Sequence, residues 1–262
     1  MKPKTLDLSV FRWIESQTSE PDRTALLSII EALCSLAPTY RYLEVGSHLG
    51  GSLQPHVVEA RCAKIFSIDP RPLEQPDDRW TYKYKFEGNS TGRMLDLLST
   101  IPAANISKIQ TFEACSWELA PESFPSPTDF AFIDGEHTNA AVVRDFISVR
   151  RFLSSAAILA FHDCYVTPSA FFKIARTLRR EGLTNKFHHF PDSDIVAIVF
   201  GSTHLQEALL KLGWQEGLPF SHARIAKMLV RKHFPRVVSI LGRWKNYWRG
   251  NQDAEQNPTV NA

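Results

Sequence analysis

Two apolar runs in this chain each end in an acid. Phe130-Ala131-Phe132-Ile133 leads to Asp134, and Ala156–Phe161 leads to His162 and Asp163. If both runs are parallel strands of one sheet, adjacent strands lie ~4.8 Å apart and the two carboxylates can converge on one divalent ion. Two uncompensated carboxylates side by side repel, so a cation or a shared proton is expected between them. His137 stands three residues after Asp134. A histidine there can take a proton from a hydroxyl while a metal lowers the hydroxyl's own pKa. It can equally cap or orient the loop, or hydrogen-bond a cofactor.

A second constellation lies near the amino end, in Tyr40–Ser52, YRYLEVGSHLGGS. It reads as a short buried strand, a glycine-rich turn and the start of a helix. Gly46 allows a positive φ. Gly50 and Gly51 allow close approach of a ligand or of the next helix, and the helix start offers free N–H groups. In open α/β sheets, ligands bind at the carboxyl ends of the strands. The spacing is E-x-G-x-x-x-G-x-S, not the G-x-G-x-x-G that brings a backbone against a pyrophosphate. Lys64–Asp69 then reads as a second strand ending in an acid. Asp69 follows Gly46 by 23 residues, where a carboxylate accepts the hydroxyls of a ribose.

The elements that must hold these groups follow from periodicity. Residues 6–36 read as two helices, the second starting at Pro21 and Asp22 and closed by Pro38. A helix is expected over Leu53–Ala60, a loop over 71–81 and a short strand over Tyr82–Phe86. Asn89-Ser90-Thr91 caps the next helix. Ile109–Ala114 reads as a sheet strand, with Cys115-Ser116-Trp117 at its end. Between Asp134 and the turn at Ser154-Ser155, a helix carries Ala141, Val142, Phe146, Val149 and Leu153 on one face. Pro168–Glu181 reads as a helix. Lys186–Phe190 and Ile195–Phe200 read as a closing hairpin, with His188 and His189 as strand residues rather than metal ligands. Gly201–Pro219 is read as a loop and a short helix.

The 262-residue chain is 44% hydrophobic and 22% charged, ordinary values for a soluble domain. No apolar run approaches the ~20 residues that span a bilayer, and the N-terminus lacks an apolar signal region. Four cysteines without metal or redox spacing suit a cytoplasmic protein with free thiols.

The motifs GSHLGGS, SIDPRP, GNST, FIDGEH and FHDC, in this order, resemble the class I S-adenosylmethionine (SAM) methyltransferases. The branch is that of the cephalosporin-hydroxylase-like and macrolide-sugar O-methyltransferases, and more distantly the catechol-type enzymes. The resemblance covers about residues 38–200. It implies a Rossmann-like, doubly wound α/β sheet of about seven strands, the last antiparallel. It also implies a helical cap over 1–37 and a SAM-binding domain over 38–204. By motif position, Glu44 lies near the cofactor's amino group, and Gly46, Ser47, Gly50 and Ser52 form the turn under its methionine part. Asp69 takes the ribose, and Ser116 and Trp117 border the adenine. Asp134 and Asp163 match the Mg²⁺ ligands of metal-dependent members. Macrolide-type members tend to carry an acid where this chain has His162, which is read as a third ligand or as a group that orients the ligands. Catechol-type enzymes place a lysine base at the offset of His137. The implied activity is methylation of a hydroxyl on a small-molecule or saccharide acceptor.

The formal net charge of +2 hides an asymmetry: Gly217–Gln252 holds eight Lys or Arg and no acid. Val237, Ile240, Leu241, Trp244 and Trp248 share one helical face there. The expected appendage, 205–250, suits contact with an anionic membrane, a partner protein or a second copy through 222–249, or packing on an acidic body. On the first of these, the protein would sit at the inner face of the membrane. No recognition motif supports nucleic acid. Residues 251–262 are expected to be disordered. Two rivals stand beside the main reading. One is an NAD-dependent oxidoreductase, against which the glycine spacing and the paired acids argue. The other is a non-catalytic module of the same fold that docks to a membrane or a biosynthetic complex.

Overall fold

The computed structural model describes residues 6–79, 82–183 and 187–220. The basic segment 222–249 and the tail 251–262 lie outside the described residues, as does Lys186 of the expected hairpin. The unit that carries the sheet runs to Pro219.

The chain begins with a four-residue 3₁₀ turn, Leu8–Phe11, capped by the Asp7 carboxylate. The first of the two expected helices is no more than this turn. The cause is visible in Gln54, whose side-chain oxygen accepts from Trp13 N and Ile14 N. Its amide group donates to Phe11 O, Ile14 O and Gly51 O. The segment is therefore held irregular over the glycine turn. Helix α1, Glu20–Leu36, opens on a capping box between Ser19 and Asp22 with Pro21 in its first turn.

Strand β1, Tyr40–Val45, leads through the glycine turn into α2, Gln54–Val58, shorter than the expected Leu53–Ala60. Strand β2 spans Cys62–Ile68. The expected loop over 71–81 contains β3, Glu74–Gln75, which pairs antiparallel with β4, Tyr84–Lys85, in a small separate hairpin. Helix α3, Thr91–Ser99, is capped by Ser90. Strands β5, Ile109–Phe112, and β6, Thr128–Ile133, follow, then α4, Asn139–Val149, capped by Thr138. Strand β7 runs over Leu153–Phe161 and includes Ser154-Ser155, because a 3₁₀ turn over Arg150–Phe152 already reverses the chain. The order closes with α5, Pro168–Arg180, β8, Phe187–His189, β9, Val196–Phe200, α6, Thr203–Lys211, and β10, Gln215–Glu216.

The main sheet has eight strands in the order β10-β8-β9-β7-β6-β1-β2-β5. From β5 to β7 all pairs are parallel, and β9 runs antiparallel to β7 and to β8. The strand beyond the expected seven is β10, a two-residue edge pair against β8. Residues 205–216, within the range expected for the appendage, lie in the sheet-bearing unit as part of α6 and as β10. Trp214 is buried, and its indole donates to Ser28 Oγ of α1 at 2.7 Å. The central strands are apolar on both faces, as a parallel sheet covered by helices requires. At their carboxyl edge, Val45 pairs with Ile133 and Ile133 with Phe161. The chain therefore leaves the sheet side by side at Gly46, Asp134 and His162. Among the described residues, no helix is long and apolar enough to cross a membrane.

Candidate active site

Gly46 is the hinge of the site. Its φ is +89°, and a Cβ there would stand 2.1 Å from the Asp134 carbonyl oxygen. Only a glycine lets the β1 turn and the β6 turn meet this closely. Gly46 N donates to Ile68 O, and Asp134 N donates to Val45 O, so both turns are extensions of the sheet ladder. Gly51 serves a different contact. A Cβ on it would lie 2.8 Å from the Glu15 carbonyl oxygen, so its absence lets residues 15–17 lie across the turn.

Asp134 and Asp163 do converge. His137 Nε2 lies 3.1 Å from Asp163 Oδ2 and 3.7 Å from Asp134 Oδ1. Asp163 reaches this place through a left-handed backbone, φ 51°. The ligand atoms of Asp134, His162 and Asp163 all lie within 4.8 Å of one another.

The carboxylates are not uncompensated, however. His162 Nδ1 lies 3.0 Å from Asp134 Oδ1, and its Nε2 lies 3.3 Å from Asp22 Oδ2. Arg79 reaches Asp163 Oδ1 at 3.4 Å. Burial pushes the Asp134 carboxyl up, but the charge of His162 and hydrogen bonds to His137 and His162 outweigh it and hold the group well below the usual carboxylate range. Burial pushes both imidazoles down. For His162 the charge of Asp134 and hydrogen bonds to Asp134 and Asp22 reverse this and raise it well above the ordinary value. For His137 the hydrogen bond to Asp134 and the charges of Asp163 and Asp134 do the same.

This arrangement decides the fit of a divalent ion. Two carboxylate oxygens at the convergence point suit a hard cation. His162 offers a ring nitrogen to the same group, and both of its nitrogens also face carboxylates, Asp134 and Asp22. His162 thus stands with the two acids as expected, and it also pairs Asp134 with Asp22 behind it.

Three residues of this cluster were missed in the sequence. Asp22 comes from the α1 capping box, whose signature was legible only as a helix start. Asp77 and Arg79 come from the loop before β4. Asp77 Oδ2 lies 3.1 Å from His137 Nδ1, and Arg79 binds Asp77 through Nε and a terminal nitrogen at 2.7–3.0 Å. No sequence signal links position 77 to position 137.

The remaining expected residues fall into three groups. Gly46, Ser47, Ser52, Asp134 and His137 line one cleft with Ser16, His48 and Phe86. Ser116 and Trp117 line a second cleft of about 270 Å³ with Pro72, Glu136, Arg144 and Asp145. The two clefts meet at Gly46 and Gly135. Trp117 is partly exposed, and the Arg144 guanidinium stacks 4.2 Å from its ring. Ser116 is buried and donates to Asp145 Oδ1 at 2.5 Å, while burial pushes Asp145 up to about 6. Glu44, Gly50 and Asp69 line neither cleft. Glu44 is fully buried, accepting from Tyr42 Oη and Ser52 Oγ at 2.5 Å each, and burial pushes it up to about 8. Gly50 packs against Met94 and Leu98 of α3. The Asp69 carboxylate accepts from His48 N at 2.8 Å and Arg71 N at 2.7 Å, which spends it on the turn itself.

Residues 43–164 match the family model described as a methyltransferase domain, Methyltransf_24. The fold is that of the class I methyltransferases. The chain is similar to the crystal structure of CalS11, a calicheamicin methyltransferase, at 14% identity and a TM-score of 0.52, covering 69% of this chain and 79% of that one. It is similar to the O-methyltransferase NovP at 11% identity and a TM-score of 0.53, covering 70% and 80%. No curated protein matches the chain. In this methyltransferase fold, the glycine turn, the paired acids and the cleft at Trp117 all occupy the carboxyl edge of the sheet, where ligands bind.

Proposed function

We propose that this protein methylates an oxygen of a small-molecule or sugar acceptor with SAM, assisted by a divalent metal at Asp134 and Asp163. The observation that carries this reading is the convergence of Asp134, Asp163 and His137 beside the Gly46 turn. His137 Nε2 stands 3.1 Å from Asp163 Oδ2, where an acceptor hydroxyl near the ion would present its proton.

The cofactor supplies an electrophilic methyl carbon on sulfur, open to in-line attack. A bound cation supplies positive charge that lowers a hydroxyl's pKa. The chain supplies the rest. Asp134 and Asp163 hold the cation. His162, charged and backed by Asp22, fixes the orientation of the Asp134 carboxylate. His137 receives the hydroxyl proton at Nε2. The Gly46 turn offers its cleft to the amino-acid part of the cofactor, and Ser116 and Trp117 offer theirs to the adenine. Residues 15–17 and Phe86 border the first cleft. Alignment of the two reactants across adjoining clefts can contribute several kcal/mol, up to about 7–11 kcal/mol in the best-oriented cases.

The test is release of S-adenosylhomocysteine over a panel of hydroxylated small molecules and glycosides, with Mg²⁺ and with EDTA. Turnover on at least one acceptor, lost in EDTA and in Asp134→Asn and Asp163→Asn, supports the reading. Turnover that survives both substitutions removes the metal from it.

A further inference from the structure

The β3–β4 hairpin borders both clefts. Glu74 and Gln75 of β3 line the second, beside Trp117. Phe86, just past β4, lines the first with Asp134 and His137. The hairpin is anchored on two sides. Phe86 N donates to Leu73 O at 2.9 Å. Ahead of β4, Asp78 N donates to His137 O at 2.9 Å, and Asp78 Oδ2 accepts from Asn139 N at 3.0 Å. The hairpin is therefore a wall of the site rather than a stray loop.

That wall is aromatic. Strand alternation puts Tyr84 and Phe86 on one face, while Lys85 meets Glu74 on the other at 3.8 Å. The Phe86 ring centroid lies 4.9 Å from that of Tyr84 and 5.4 Å from that of His48, two residues after Gly46. The rings lead from solvent to the first cleft. Opposite Tyr84, β3 sets the polar Gln75, and Tyr84 stays 40% exposed. An aromatic face left this open beside a site is free to receive a ligand ring.

The kind of ring follows from the cleft. The first cleft holds about 50 Å³, against roughly 300–1,000 Å³ for pockets that enclose a drug-sized ligand. A ring acceptor must lie at its mouth and send in only a substituent. Beside Phe86 the lining is polar, with Ser16, Gln17, His48, Asp134 and His137. A flat phenol would cover these groups and leave most of them without partners, which is costly. A pyranose has C–H faces to lie on an aromatic ring and hydroxyls along its edge for such groups.

We propose that Tyr84 and Phe86 form the acceptor platform: they take the C–H face of a saccharide ring at the mouth of the first cleft and turn one of its hydroxyls toward Asp134, Asp163 and His137. This deepens the methyltransferase reading and rests on it for the fate of that hydroxyl.

The experiment uses full-length protein with Mg²⁺, titrated first with S-adenosylhomocysteine by calorimetry. Methyl glycosides of hexoses and 6-deoxyhexoses are then added, with catechol as the flat rival, and binding is read by saturation-transfer NMR. At least one glycoside is expected to bind, with transfer strongest at the C–H protons of one ring face. Tyr84→Phe keeps the ring and should bind it as wild type does. Tyr84→Leu and Phe86→Leu keep apolar bulk without a π face, and each should raise its dissociation constant about threefold or more. No bound glycoside, catechol bound in place of glycosides, or wild-type affinity in both leucine variants overturns the proposal. If S-adenosylhomocysteine binds and no glycoside does, the platform fails and the methyltransferase reading stands. If glycosides bind through the rings and S-adenosylhomocysteine does not, that reading fails and the saccharide site stands.

Discussion

His162 touches Asp134 through Nδ1 at 3.0 Å and Asp22 through Nε2 at 3.3 Å, so one imidazole ties the first helix to the acid that ends β6. Asp22 Oδ1 also accepts from Asp194 N at 2.8 Å, ahead of β9. Three separate parts of the chain are joined at this ring. The clamp has a pH signature. Asp22 is pushed up by burial but held down overall by His162, falling from 3.8 to about 2. A depressed carboxylate stabilises the fold above its unfolded value, and that contribution is lost as pH falls from 3.8 toward about 2. His162 is raised, so its contribution is complete below 6.5 and is lost as pH climbs through its folded value. Stability should therefore fall on both sides of a mildly acidic plateau.

Removing one partner of this clamp leaves buried charge without a counter-ion. His162→Ala should cost about 3 kcal/mol or more. Urea midpoints across pH should also show a shallower alkaline limb in this variant, with the part owed to Glu44 retained. A wild-type-like midpoint would contradict the clamp.

Gly46→Ala meets two penalties, a strained positive φ and a Cβ 2.1 Å from the Asp134 carbonyl oxygen. The backbone must move, at a cost of about 2–3 kcal/mol. Because the atom it displaces belongs to Asp134, cofactor and metal binding should weaken along with the urea midpoint.

Glu44 gives a pH dependence of the opposite kind to that of Asp22. Burial raises it from 4.5 to about 8, so the folded state holds a proton that the unfolded chain releases. Stability from this group is complete below 4.5 and declines as pH rises to about 8. Glu44→Gln should flatten that decline and stabilise the protein at neutral pH, as read by urea unfolding at several pH values. A steeper decline in the variant would contradict a neutral Glu44.

The fold was legible because periodicity and turn chemistry agree along most of the chain. Gly46, Pro168 and the Ser90 cap mark real boundaries, and Phe130–Ile133 and Ala156–Phe161 are apolar without interruption. The departures have local causes. The first expected helix gave way to the Gln54 amide, a contact 40 residues away in sequence. Strand β10 is two polar residues, invisible to any pattern of burial.

The paired acids were legible in the site, but their neutralisation was not. Asp22 reads locally as a helix cap and Asp77 as a loop residue. Their places in the cluster come from contacts with His162 and His137, 140 and 60 positions away. Glu44 and Asp69 stand where the motif places them, yet their carboxylates are taken by Tyr42 and Ser52 and by the His48 and Arg71 main chain.

Trp117 offers an exposed aromatic face to the second cleft, with Arg144 stacked on it. If an adenine lies there, stacking is worth about 1–3 kcal/mol. Trp117→Ala should then raise the dissociation constant for S-adenosylhomocysteine by about fivefold or more. An unchanged constant would place the adenine elsewhere.

The most direct test of the whole account is calorimetric titration of the full-length protein with S-adenosylhomocysteine, with NAD as the control, each with Mg²⁺ and with EDTA. The account predicts saturable micromolar binding of S-adenosylhomocysteine and none of NAD. Folded protein that gives no heat with S-adenosylhomocysteine, or that binds NAD in its place, would contradict it.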